Sequence, residues 1–157
     1  MPKPRKPEGA PEGTVWFGGP IDRFKVTLRI FGDDLDPDEI TRLMASDPTN
    51  AERKGLPVPL PDGGTRIPRR GRWSLTLDSK DCDENDDLED GVRNLLARLP
   101  SEAALWKSLG ERYKVDVFCA IFLGRTNQGF GISAEISKML ADRCLDIGFD
   151  IYFEPET

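Results

Sequence analysis

Histidine is missing from all 157 residues, and its absence removes more chemistry than any motif supplies. Without an imidazole there is no side chain with an ordinary pKa near neutrality to act as general base. There is also no Ser-His or Cys-His nucleophile pair and no nitrogen ligand for zinc, copper or non-haem iron. Cysteine is scarce as well. Cys82, Cys119 and Cys144 form no Cys-x-x-Cys pair, and an odd number of widely spaced thiols fits a reducing compartment. The most apolar run, from Val117 to Leu123, is far too short to cross a bilayer. The chain lacks a surplus of positive charge, carrying a formal −6, which argues against DNA or general nucleic-acid binding. Its first residues, Met1-Pro-Lys-Pro-Arg-Lys-Pro, have no apolar centre of the kind a secretory signal needs. These absences lead us to expect a cytoplasmic soluble protein with no membrane contact, no metal and no cofactor.

Apolar residues make up 38% of the chain, and that content at this length supports one domain with a real core. Residues 1–21 hold five prolines and four glycines without any period, so they read as a disordered arm in front of a single α+β domain at 22–157. Trp16-Phe17 is the exception in that arm: two adjacent aromatics should dock on the body or meet a partner.

Within the body, Phe24, Val26, Leu28 and Ile30 alternate with polar residues and predict a first strand. Asp36-Pro37-Asp38-Glu39 has the form of a helix start, with Asp36 as N-cap and an acid three residues on. Residues 45–71 carry five prolines and four glycines and predict a functional loop or a short extended piece. Trp73, Leu75 and Leu77 predict a second strand, exposed or at an edge. Leu88, Val92, Leu95, Leu96 and Leu99 predict a helix stopped by Pro100, followed by a partner helix over roughly 102–112. Residues 115–123 are apolar on both faces and predict a central strand covered on both sides. Ser133 should cap a last helix, and Ile147, Phe149, Ile151 and Phe153 a last strand. The order βαβ–αα–βαβ predicts a ferredoxin-like two-layer sandwich with an inserted helical hairpin.

Three stretches carry a family resemblance: residues 26–44, from Val-Thr-Leu-Arg-Ile-Phe-Gly to Thr-Arg-Leu-Met; Asp47-Pro-Thr-Asn-Ala-Glu-Arg-Lys-Gly; and Arg72-Trp-Ser-Leu. With Val117-Phe-Cys and Phe149-Asp-Ile-Tyr-Phe they make the chain resemble an uncharacterised bacterial family, domain of unknown function 4279, over roughly residues 22–154. The resemblance implies a small α+β bacterial domain and no activity.

No catalytic constellation follows from spacing, so no catalytic residue is named. The run from Asp81 to Asp90 begins like a calcium loop. It then places Asp86 where the turn glycine belongs and Val92 where the bidentate glutamate belongs; acids gathered at a helix N-terminus explain it instead. Asp33 and Asp34 could form an acid/base or metal pair, although a turn accounts for them. Arg125 and Asn127 sit in a glycine-rich turn that could cradle phosphate but lacks a P-loop ending, so a plain loop accounts for it; that turn should neighbour the loop after the first strand if the two strands pair centrally. Arg66, Arg69, Arg70 and Arg72 crowd four guanidinium groups into seven residues, which reads as solvated loop surface or, more sharply, as a docking patch for carboxylate, phosphate or an acidic surface.

The expected function is a non-enzymatic binding or protein-interaction module whose partner is another protein or an acidic small ligand. The alternatives are a carboxylate- or metal-dependent hydrolase or phosphoesterase centred on Asp33 and Asp34, and a single-strand RNA binder. Phe118 and Phe122 should be covered from within the chain, by the helical hairpin with Trp106 or by the aromatic arm. A monomer or weak dimer is therefore expected.

Overall fold

In the computed structural model the chain runs β1 (Phe24–Gly32), α1 (Pro37–Met44), β2 (Asn50–Glu52), β3 (Val58–Pro59), β4 (Thr65–Arg66) and β5 (Gly71–Asp78). It continues through a 3-10 turn (Ser79–Asp81), α2 (Leu88–Ala97), α3 (Ala103–Arg112), β6 (Lys114–Leu123), α4 (Ala134–Asp142) and β7 (Asp146–Phe153). The described residues are 9, 11–13, 19, 21, 23–124 and 127–154. Most of the expected arm, Trp16-Phe17 and Arg125 lie outside them.

Five strands form one sheet in the order β2-β5-β1-β6-β7, and β3 and β4 make a separate two-stranded ribbon. β1 is antiparallel to both neighbours, β5 and β6, while β6 and β7 run parallel. The two strand–helix–strand units thus lie side by side and meet at the β1–β6 pair. This is a mixed α+β architecture, with the α2–α3 hairpin carrying the chain from β5 across β1 to β6.

Register explains the core. Val26 stands opposite Leu77 and Cys119, and Leu28 opposite Leu75 and Val117, so the apolar phase of each strand falls on one face. Ile40 and Met44 from α1, Val92, Leu95 and Leu96 from α2, Trp106 and Leu109 from α3, and Ile136 and Leu140 from α4 are buried with them. Ile21, just ahead of β1, is buried too. Both deep tryptophans satisfy their indole N–H: Trp73 donates to Thr41 Oγ1 at 3.0 Å and Trp106 to the Pro100 carbonyl at 2.8 Å. α2 lies so close to β1 that a Cβ at Gly91 would sit 2.5 Å from Phe24 Cε2.

Local signals set the helix starts. Asp36 caps α1 by accepting from the Asp38 N–H at 3.0 Å, and Ser133 caps α4 by accepting from the Ile136 N–H at 3.2 Å. Glu39 does not complete a capping box; its carboxylate reaches Arg112 of α3 at 3.0 Å. The reciprocal box belongs to α2, where Asp87 and Asp90 exchange backbone-to-carboxylate bonds at 3.0 Å.

Three expectations change. β5 is not an edge strand, because β2 pairs with it over Arg72–Ser74; past that point its outer rim is open apart from Thr49 Oγ1, which accepts from the Thr76 N–H at 2.9 Å. β6 is interior but covered by helices on one face alone: Val117, Cys119 and Ile121 are buried, while Phe118, Ala120 and Phe122 are half-buried on the other. The loop after β6 does not neighbour the loop after β1. The strands are antiparallel, Phe24 pairing with Ile121 and Phe31 with Lys114, so the two loops leave from opposite ends.

Candidate anion-binding groove and open sheet face

The proline-rich excursion between α1 and β5 has a defined path. Leu60-Pro-Asp-Gly makes a tight turn in which Gly63, at φ +87°, takes the left-handed conformation that a side chain would resist. Leu60 donates its N–H to the Gly64 carbonyl at 2.8 Å, closing the β3–β4 ribbon. Gly55 donates to the Pro68 carbonyl at 2.9 Å and ties the ribbon's base. The chain then enters β5 at Gly71, where a Cβ would lie 2.7 Å from the Gly32 carbonyl oxygen and 3.0 Å from Leu35 Cβ. That close approach lays Arg70 and Arg72 against the end of β1.

Here a groove of about 540 Å³ opens, lined by Phe31, Glu52 and residues 66–70 and 72 that include Arg66, Arg69, Arg70 and Arg72. All four arginines singled out from the sequence meet in it. Glu52 lies at its base with its side chain 8% exposed. Arg66 donates from Nη2 to Glu52 Oε1, and Arg72 Nη2 stands 3.7 Å from the same oxygen. The Arg72 Nε is buried with no hydrogen-bond partner among the described residues. Arg70 stacks its guanidinium 4.1 Å above the Phe31 ring. Neither Arg69 nor Arg70 has an ion-pair partner among the described residues. Since Glu52 is the single acid in the lining, the groove retains a clear positive excess in an otherwise acidic protein.

Three of the neighbouring acids are committed elsewhere. Asp33 receives Lys54 at 3.0 Å, and Arg53 bridges Asp36 and Asp38 at 2.7 and 3.1 Å. The Asp38 N–H, followed by the Arg53 guanidinium, holds the Asp36 carboxyl below its ordinary pKa. Asp34 is exposed. No three Cys, Asp or Glu side chains converge on a possible metal position among the described residues. Asn127 is exposed in the loop after β6, at the far end of the sheet from the groove.

The groove runs into the helix-free face of the sheet. Arg29 makes a two-pronged contact with Asp116, both bonds 2.7 Å, and its guanidinium lies 4.4 Å over Phe118 and 5.4 Å over Phe31. Thr27 and Thr76 share a hydroxyl hydrogen bond at 2.9 Å beside it. Further along, Phe122 stacks on Tyr152 at 5.3 Å with Arg23 over it at 5.2 Å. Arginines thus cover Phe118 and Phe122, and the hairpin does not: Trp106 is buried on the helix side, with the sheet between it and these rings. The clustered aromatics that an RNA-stacking surface needs are present, but apart from Arg70 over Phe31 the cations among them are neutralised, Arg23 by Glu154, Lys25 by Asp78 and Arg29 by Asp116.

Glu52 was invisible to sequence reasoning because its role depends on β2 pairing with β5. The open-face aromatics did leave a signal, since Phe31 and Tyr152 fall on the phase that is normally wet in their strands. Burial pushes the Cys119 thiol up to about 12, so this cysteine behaves as a small core hydrophobe. No described helix is long and apolar enough to cross a membrane.

No curated protein and no solved structure matches the chain. Residues 22–154, which hold the whole sheet, the four helices and the arginine groove, match the family described as Domain of unknown function (DUF4279), and the chain belongs to that family.

Proposed function

We propose that the protein is a non-enzymatic binding module of the bacterial cytoplasm whose arginine groove holds an anionic group, a carboxylate or phosphate, on a small ligand or an acidic partner protein. The observation that carries this reading is the grip of one buried carboxylate, Glu52, on two guanidinium groups while Arg69 and Arg70 beside them have no ion pair among the described residues. Orienting arginines before the ligand arrives lowers the ordering cost of binding, and guanidinium forks match carboxylate and phosphate oxygens. The absence of histidine and the raised pKa of the Cys119 thiol support binding over catalysis, and three free cysteines fit a reducing compartment. The hydrolase alternative draws no support from Asp33, whose carboxylate is taken by Lys54.

Calorimetric titration with inorganic phosphate and with a hexaglutamate peptide tests the reading. Saturable binding of at least one probe is expected, weakening with added salt, and falling about tenfold or more when Arg69 and Arg70 are both replaced by alanine. Binding of neither probe, or equal binding by the double variant, overturns it. The clustered Phe118, Phe122 and Tyr152 favour single-strand RNA as the second reading. Oligouridylate binding lost in Phe118→Ala and retained in the double arginine variant would establish that reading in place of the first.

A further inference from the structure

The two outer strands of the sheet are built in opposite ways. β2 is three residues long and ends in the arginine groove, a short edge that offers little to another chain. β7 is eight residues long, and four large apolar side chains stand out from it: Phe149 (37% exposed), Ile151 (53%), Tyr152 (43%) and Phe153 (54%). Phe130, itself 41% exposed, packs 5.1 Å from Phe149 and widens the patch. A long apolar edge of this kind marks an association site.

We propose that β7 pairs antiparallel with β7 of a second copy of this chain, joining the two sheets across a twofold axis at Ile151. This goes beyond the groove and uses the opposite edge, so the groove remains open in the pair. The backbone supplies the first argument. Glu154 donates its N–H inward to the Leu123 carbonyl at 2.9 Å, which fixes the alternation: even-numbered residues of β7 bond to β6, and Phe149, Ile151 and Phe153 turn their N–H and C=O groups outward. An antiparallel partner needs such outward groups facing one another.

Register supplies the second argument. With the axis at Ile151, Ile151 meets its own copy, Phe149 meets Phe153, and Asp150 meets Tyr152, whose hydroxyl already donates to Asp150 at 2.5 Å within its own chain. Each exposed apolar side chain on the helix side thus finds another exposed one, and in the pairs formed between residues 149–153 of the two strands no carboxylate opposes a carboxylate. An axis at Gly148 would set Asp146 against Asp150, and an axis at Asp150 would set that carboxylate against itself, both unfavourable. An axis at Phe149 would spend the exposed Phe153 on Leu145, which is already buried. The strand is self-complementary in one register, as a twofold interface requires. The proposed pair is a firmer association than the monomer or weak dimer expected from the sequence.

Sedimentation of the full chain at micromolar concentration, with hydrogen exchange resolved by residue, tests the proposal. A dimer is expected in which the amides of residues 149, 151 and 153 exchange slowly. Ile151→Lys, which would set two ammonium groups face to face on the axis, should give a folded monomer in which those same amides exchange fast. A wild-type monomer overturns the proposal. So does a dimer whose odd-numbered β7 amides exchange freely, or one that Ile151→Lys leaves intact.

Discussion

Replacing Glu52 by glutamine keeps the shape of the groove's base and removes its charge. Glu52 is more than nine-tenths buried at the side chain, whereas its partners Arg66 and Arg72 are 47% and 36% exposed. Solvent therefore screens the pair, and a fully buried ion-pair value does not apply. A charge-assisted hydrogen bond is worth about 1 kcal/mol more than a neutral one. Arg66 makes such a bond and Arg72 stands just beyond hydrogen-bond reach, so the expected loss is about 1–2 kcal/mol, or about 2–8 °C in Tm for a chain of this size. The sign with added anion is the sharper test. Four arginines without Glu52 repel one another, so inorganic phosphate should restore more stability to Glu52→Gln than it adds to wild type. Urea midpoints and thermal scans with and without phosphate measure both effects. An unchanged Tm at low salt, or a loss that phosphate restores no better than it stabilises wild type, would refute the role assigned to Glu52.

Acid should destabilise the protein in a defined window. Asp36 is held below its ordinary pKa by the Asp38 N–H, Glu39 by the Arg112 hydrogen bond, and Asp90 by the Asp87 N–H. Their stabilisation is complete above the ordinary carboxylate values of 3.8 and 4.5 and is lost as pH falls through the lower folded values; urea midpoints should hold at pH 6 and drop below about pH 4. Thiol labelling of the native protein should proceed at the exposed Cys144, more slowly at the partly buried Cys82, and not at Cys119 until the protein unfolds. Mass spectrometry of partly labelled protein reads the order, and early modification of Cys119 would contradict a rigid β6.

Local physics made much of this fold legible. Asp36 and Ser133 could be assigned as caps because a cap needs only the residues that follow it. The Leu88–Leu99 stripe and the alternation in β1 and β7 likewise report a period that needs no tertiary knowledge. Long-range pairing was not legible in the same way. Nothing in the residues of β1 and β6 says that they run antiparallel, and that orientation is what parts the β1 loop from the Asn127 loop. Phe118 called for a cover, but finding Arg29 required knowing that Arg29 and Asp116 stand opposite each other in register. The arginine cluster could be read from sequence as charge; its organisation around Glu52 arises from a three-residue strand too short to announce itself.

From Arg53 to Ile67 the chain is exposed throughout except for the half-buried Val58, so the ribbon that forms the groove's rim owes almost nothing to the core. Its base is pinned by Glu52 and by the Gly55–Pro68 bond, and its tip at residues 60–64 hangs in solvent. Lengthening that tip would raise the loop-closure cost only slowly and would disturb no buried side chain. The reach of the groove's rim can therefore change in length and composition while the sheet and its helices keep every buried contact.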